Sequence, residues 1–265
     1  MDPLKPLIDA LHAQGRLRVW SLVITVFGDM VQHRGGVIST ARLGALMSRI
    51  GVEPGTLRTA LSRLGRDGWV ESERTGRTSL YRLSPQGVER FAPATSLIYA
   101  APQTEPVQNW SLYVTLDGAT PTIGLVPAGR VPERADCVVT GSLDQISPAY
   151  RERVLGDEMR AAIEALAADV DALRSNAPSD QLDAAAARVL LIHRWRRLVL
   201  RHPEPVPDLM PEDIGLTNPR AEIAALYRSL SPLAEAWLDQ PLEGLPAMPA
   251  ASPDFAARFG GAVGS

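Results

Sequence analysis

Thr56-Leu57-Arg58-Thr59-Ala60-Leu61-Ser62-Arg63-Leu64-Gly65-Arg66 is the stretch on which the fold turns. Leu57, Ala60, Leu61 and Leu64 recur at the spacing of one helix face. Thr56, Arg58, Thr59, Ser62, Arg63 and Arg66 fall on the opposite face. Guanidinium forks suit phosphates and guanine edges, and hydroxyls suit phosphates and base edges. A helix with a greasy inner side and this outer side is suited to a nucleic acid.

The flanks extend the pattern. Val52-Glu53-Pro54-Gly55 reads as a short turn, with Pro54 near a first helical position. Before it, Leu43, Leu46, Met47 and Ile50 mark a preceding helix that Ser39 or Thr40 can cap and Gly51 can end. Further back, Trp20, Val23, Ile24, Phe27, Met30 and Val31 form one amphipathic stripe, broken by Gly35-Gly36. Helix, short turn and arginine-bearing second helix match the helix-turn-helix layout. Downstream, Trp69 to Arg74 and Thr78 to Leu83 can be extended around Thr75-Gly76-Arg77, a hairpin signal. A hairpin after a recognition helix is a wing, and its tip bears Arg74, Arg77 and Thr78. Ser84-Pro85-Gln86-Gly87 leads into a short helix ending near Phe91. An arginine face alone could be a solvated surface; the ordered combination favours DNA, with Thr56, Arg58, Thr59, Ser62, Arg63, Arg66, Arg74, Arg77 and Thr78 as the expected contacts.

Charge distribution agrees. The 265 residues carry a formal net charge of −3, so the whole chain is no basic nucleic-acid binder. Between Arg34 and Leu83, however, nine arginines face four acids, an excess of 9 − 4 = 5. Cys137 is the one cysteine, which excludes an internal disulfide and any Cys-based zinc site; it reads as a small buried hydrophobe. Met1 to Arg18 has two prolines and scattered charges rather than an apolar signal core, and no apolar run approaches a membrane span. The expectation is a soluble cytoplasmic protein.

Residues 1–17 read as a lead-in or short helix, and Ala92 to Gln108 as a proline-rich linker. Strands are expected at Trp110 to Leu116, Thr122 to Val126 and Cys137 to Thr140, with Asp117-Gly118 as a turn. From Pro148 the pattern is helical, and the tail after Gln240 reads as disordered towards its end. Arg194, Arg197 and Arg201 share one helical face, which suits a polyanion such as a CoA ligand or, alternatively, ion pairs to Glu204, Glu212 or Asp213. His193 and Trp195 join them as candidate effector contacts. A nuclease is the rival from another class, with Asp117 at a strand end as its metal ligand. No second carboxylate stands at matched spacing, and no G-x-S-x-G, P-loop or His/Glu metal pattern occurs. No catalytic residue, metal or cofactor is expected.

SLVITVFG at residues 21–28, Arg34-Gly35-Gly36, Thr56 to Leu64 with Gly68-Trp69, and Gly76-Arg77 followed by Tyr81-Arg82-Leu83 resemble the PaaX family. So do Leu191-Ile192-His193-Arg194-Trp195-Arg196-Arg197 followed by Pro203, then Asp208-Leu209-Met210-Pro211 and Leu226-Tyr227. These are bacterial repressors of phenylacetate catabolism. The resemblance implies an α+β chain in three parts: a winged helix-turn-helix over 18–92, a small ferredoxin-like, Cas2-like domain over 109–156, and a helical effector and dimerisation domain over 157–240. It also implies a homodimer on a palindromic DNA operator, released by an acyl-CoA effector such as phenylacetyl-CoA. A regulator of the same family answering to another metabolite is the alternative. Family members place an arginine- and leucine-rich helix after the first central strand. Asp117 to Val126 is too short for it, so the central domain is expected to be trimmed.

Overall fold

Residues 2–13, 15, 17–76, 78–116, 118, 120–202 and 206–261 are described in the structure, a computed structural model. Helix α1 spans Lys5–Ala13, and helix α2 (Val19–Val26) follows it. The sequence pattern predicts one apolar stripe on α2, yet Leu22, Val23, Ile24, Thr25 and Val26 are all buried. Partners on more than one side explain this: α2 packs against both α4 (Pro54–Arg66) and α8 (Gln181–Val199). The ladder then widens into a π turn at Phe27–Val31 and tightens into a 3₁₀ turn at Gln32–Arg34. A three-residue strand unforeseen in the sequence, β1 (Val37–Ser39), comes next.

The cap of α3 (Thr40–Arg49) is Ser39, whose hydroxyl accepts the Arg42 N–H at 3.2 Å. Gly51, at φ +86°, turns the chain left-handed after α3, and Pro54 opens α4. Strands β2 (Val70–Thr75) and β3 (Thr78–Leu83) pair antiparallel from Val70↔Leu83 to Thr75↔Thr78. Strand β1 adds to the other edge of β3, giving the order β1-β3-β2. Helix α5 (Pro85–Ile98) runs past its expected end near Phe91 and through Pro93, so the first half of the predicted linker is helical.

A second antiparallel sheet, order β5-β4-β6, is built from β4 (Trp110–Thr115), β5 (Thr122–Pro127) and β6 (Cys137–Gly141). Its register sets Leu112 between Leu125 and Val139, and Val114 between Ile123 and Cys137. Directly paired residues share a face, so this face is apolar throughout. Away from its buried Trp110 end it is also open: Ile123 is 67% exposed, Val139 64% and Leu112 46%. Cys137 lies on it and is exposed, which corrects the expectation of a buried thiol. Helices α6 (Pro148–Leu155), α7 (Asp157–Ser175), α8 and α9 (Pro219–Leu238) complete the body. Mixed helix and antiparallel sheet make the chain α+β. One apolar core runs from Leu4, Leu7 and Leu11 of the N-terminal lead-in through α2, α3 and α4 to α7, α8, α9 and Phe259. Trp110 is buried outside that core.

The tail packs on the body as far as Gly261, and the end expected to be disordered, residues 262–265, lies outside the described residues. The Met248 N–H reaches the Leu238 carbonyl at 3.0 Å, and the Ser252 N–H reaches the His33 carbonyl at 2.7 Å. Helix α10 (Pro253–Ala256) follows, and Phe259 is buried.

Where α2 meets α8, α9 and the tail, the core is ionic. Asp29, fully buried in the π turn, accepts from Arg188 Nε at 2.9 Å, from Tyr99 Oη at 2.9 Å and from Tyr227 Oη at 3.0 Å. Arg188 also sits 2.7 Å from Glu235 Oε1, a charge contact without hydrogen-bond geometry. Glu235 Oε2 takes Arg34 Nε at 2.7 Å and lies 3.2 Å from His33 Nε2. Burial pushes the Glu235 carboxyl up, but the hydrogen bond from His33 and the Arg188 charge outweigh it and hold the pKa at about 2. A depressed pKa gives stability that is fully present above the ordinary glutamate value near 4.5 and is lost as pH falls through about 2. Glu235→Gln is expected to flatten the acid limb of a urea-midpoint-against-pH curve between those values. An unchanged limb would place the acid sensitivity elsewhere.

Candidate nucleic-acid interface

Helix α4 owes its orientation to four residues. Leu57, Ala60, Leu61 and Leu64 are buried against the core, which turns the other face outward. Thr56, Arg58, Thr59, Ser62, Arg63 and Arg66 are all exposed there. Arg63 Nε makes a long contact of 3.4 Å with Asp67, where both side chains are about half in water. Such a pair contributes roughly 0–1 kcal/mol and yields readily to a phosphate. Thr59 returns its hydroxyl hydrogen to the Gly55 carbonyl at 3.0 Å, leaving the oxygen free to accept. On the hairpin, Arg74 is exposed and its Nε reaches the Gly76 carbonyl at 3.3 Å, while Thr78 is half-buried. Arg77 lies outside the described residues. Gly76, at φ +62°, sits in the two-residue connection where most residue types are strained.

The arginine excess divides into two sets. Arg34 is buried and donates to Glu235, to Asp239 Oδ1 at 2.7 Å and to the Pro249 carbonyl. Arg42 donates to the Trp237 carbonyl at 2.7 Å and to the Gln240 carbonyl, and stacks on the Trp237 ring. These two cations sit at the carboxyl end of α9, the negative pole of its dipole. Arg49 binds Asp183 and Asp2. Three of the nine arginines therefore fasten the N-terminal helices to the body, and the remaining charge gathers on α4 and the hairpin. Arg90 was not singled out from the sequence. It stacks over Trp69 and reaches the Asp67 carbonyl, which puts a further exposed cation beside the end of α4. Its only signal was its position on a helix directly after the hairpin.

The five candidate effector residues separate. Trp195 is fully buried and gives its indole N–H to the Ile98 carbonyl at 2.8 Å, beneath the Arg220 guanidinium. His193 is buried beside Thr25 Oγ1 at 2.9 Å, and burial followed by the Arg196 charge lowers its pKa to about 3, so the ring is neutral. Arg194 is bound to Asp169, which was not among the acids foreseen as its partners. Only Arg197 and Arg201 are exposed. Partial burial, then the charges of Arg201, Arg194 and Arg18, lower the Arg197 pKa, the signature of crowded cations. A recess of about 240 Å³ under α1 touches His193, Arg194 and Arg197, and another of about 280 Å³ lies between Gln103, Arg130 and Asn218. Both are shallow and open to solvent, and neither encloses a CoA thioester as it stands. Among the described residues, no three His, Cys, Asp or Glu side chains gather to hold a metal ion, and no helix is long and apolar enough to cross a membrane. Asp117 lies outside the described residues.

Residues 18–87 match the family described as PaaX-like protein, and residues 149–240 match the PaaX-like protein C-terminal domain. The chain belongs to the PaaX-like family. The matched stretches take in α2 to α4, the hairpin, and α6 to α9; they leave out α1, the β5-β4-β6 sheet and the packed tail. Among curated proteins, the transcriptional repressor PaaX of Escherichia coli (strain K12) is 26% identical over 283 residues, covering 91% of this chain and 90% of the relative. Among solved structures, uncharacterized protein Rv0674 from Mycobacterium tuberculosis aligns at 16% identity and TM-score 0.45, over 82% of this chain and 97% of the other.

The two arginine sets are separable by experiment. Arg42→Ala is expected to destabilise the fold by roughly 2–3 kcal/mol, from lost charged hydrogen bonds to two carbonyls. Arg58→Ala is expected to stay within about 0.5 kcal/mol of the parent, as exposed substitutions do. Thermal unfolding of both variants checks this, and equal losses would overturn the division.

Proposed function

We propose that this chain is a DNA-binding transcriptional repressor and not an enzyme. In this reading α3 and α4 form a helix-turn-helix, and β2 and β3 are its wing. The observation that carries it is the exposed guanidinium and hydroxyl face of α4, set by four buried residues on the reverse. Arg58, Thr59 and Arg63 approach bases or neighbouring phosphates, with Thr56, Ser62 and Arg66 flanking them. Arg74, Arg77 and Thr78 hold the wing on the backbone. The family membership and the name of the Escherichia coli relative support the same reading. The working units are the winged helix of residues 18–92, a central unit of 109–156 that stands as a trimmed counterpart of the Cas2-like domain, and a helical effector unit of 157–240. A DNA-reading repressor of this kind works in the cytoplasm of a bacterium.

One winged helix reads a short half-site, and paired readers match palindromic operators. The open apolar face of β4, β5 and β6 supports a homodimer, because a monomer gains nothing by exposing it. The effector is an acyl-CoA such as phenylacetyl-CoA, whose phosphates meet Arg197 and Arg201. Its binding shifts the spacing of the two α4 helices and releases the operator. It does so only by binding the released state better, and ~1–3 kcal/mol of such coupling is typical.

Titration against the promoter beside the chain's own gene tests the reading. Log affinity should fall steeply and linearly with log salt concentration. Arg58→Ala should weaken operator binding by about 1–3 kcal/mol and random DNA less. A flat salt response removes DNA binding altogether. For the dimer, Val139→Glu should convert it to monomer in sedimentation velocity. A dimer that survives this change uses another surface.

A further inference from the structure

The tail from Ser252 to Gly261 lies in a cleft as a bound peptide would. Its anchors are Phe255, Arg258 and Phe259. Phe255 stacks on His33 with ring centroids 4.4 Å apart. Phe259 is buried, sets its ring edge-on to Tyr99 at 5.4 Å, and gives its N–H to the Tyr99 carbonyl at 2.8 Å. Between them, Arg258 enters the ionic site: it donates to Tyr227 Oη at 2.6 Å and lies 3.3 Å from Asp29 Oδ1.

What Arg258 does to the backbone is more telling. Its two terminal nitrogens bind the Gly28 carbonyl at 2.9 Å and the Asp29 carbonyl at 2.8 Å. Both carbonyls belong to the π turn, where a widened ladder bonds Gln32 N–H back to Phe27. A π turn is a rare, one-residue insertion that an ordinary helix would expel. Arg258 supplies a donor pair at the point where the helix departs from its usual ladder. The turn in turn sets the direction of Arg34 and β1, which leads into α3.

The residues between the anchors face water. Pro253, Asp254, Ala256 and Ala257 are exposed, and Phe259 sits at φ +54°, a conformation uncommon for a residue with a side chain. A segment whose intervening residues face water, standing on three side-chain anchors, can open locally without unfolding the body. We propose that the cleft between the π turn, Tyr99 and Tyr227 is a peptide-binding site for an aromatic-x-x-Arg-Phe segment, occupied reversibly in cis by residues 255–259, and that its occupancy holds the π turn. The consequence for DNA rests on the repressor reading: an empty cleft lets the turn relax and displaces α3 and α4 from the operator geometry.

Cutting the folded protein tests this without asking a variant to fold. A site-specific protease sequence is inserted between the exposed residues Pro246 and Ala247 of the full chain, which is then cleaved. A fluorescent peptide of residues 247–265 should exchange into the cleft, read by anisotropy. The same peptide carrying Arg258→Gln should bind at least about tenfold more weakly, as expected for loss of charged hydrogen bonds. Amide exchange at residues 28–34 should rise when the peptide is washed out and fall when it is restored. A peptide that never exchanges, equal binding of the Arg258→Gln peptide, or unchanged amide exchange would each overturn the site. Operator affinity of the cleaved protein, with and without peptide, is the separate readout. If the peptide binds and protects the turn but operator affinity stays constant, the coupling to DNA fails and the site stands. If neither form binds DNA, the repressor reading fails and the peptide result is untouched.

Discussion

Asp29 is a carboxylate sealed from solvent, and the molecule is arranged around keeping it satisfied. An isolated buried charge costs many kcal/mol, so its partners are obligatory rather than helpful. Those partners come from four places: Arg188 on α8, Tyr227 on α9, Tyr99 at the end of α5, and Arg258 on the tail. Arg188 neutralises the charge, and the two tyrosines and Arg258 complete its hydrogen bonds. Burial, followed by the Asp29 charge, raises the pKa of Tyr227, so its hydroxyl stays a donor across any ordinary pH. The site thus couples segments as much as 229 residues apart.

That constraint explains the shape of the functional surface. The arginines nearest the junction, Arg34 and Arg42, are consumed in holding α9 to the turn and to α3. Helix α4 lies further out and keeps its cations. Buried, bonded arginines and exposed ones therefore alternate in one stretch of chain, separated by which way each side chain points. Family resemblance covers the outer helices and the body but stops short of the tail that closes the junction.

The helical body supplies a rigid support rather than an open vessel. Trp195 and His193 are held in it by the Ile98 carbonyl and by Thr25, and Arg196 reaches across to the Ser21 carbonyl at 3.0 Å. Those contacts tie α8 directly to α2.

Much was legible in the sequence because it is local. The stripe of α4, its proline start, the glycine after α3 and the presence of a hairpin around Gly76 follow from periodicity and from backbone conformations that few residues tolerate. The three strands of the second sheet were visible for the same reason, as runs of β-branched and apolar residues bounded by turn formers. What only the tertiary structure decided depends on partners far along the chain. Helix α2 shows one stripe by pattern, yet it is buried on nearly every side because α8 covers it. Asp29, a single acid within an apolar run, gave no local sign of its role, and the composition of the tail after Gln240 gave no sign of its packing. Phe255, Arg258 and Phe259 are only three residues, too few to register in composition. Their order comes from a cleft that exists only once α5, α9 and the π turn have met, since a buried charge selects its partners by position in space rather than along the chain.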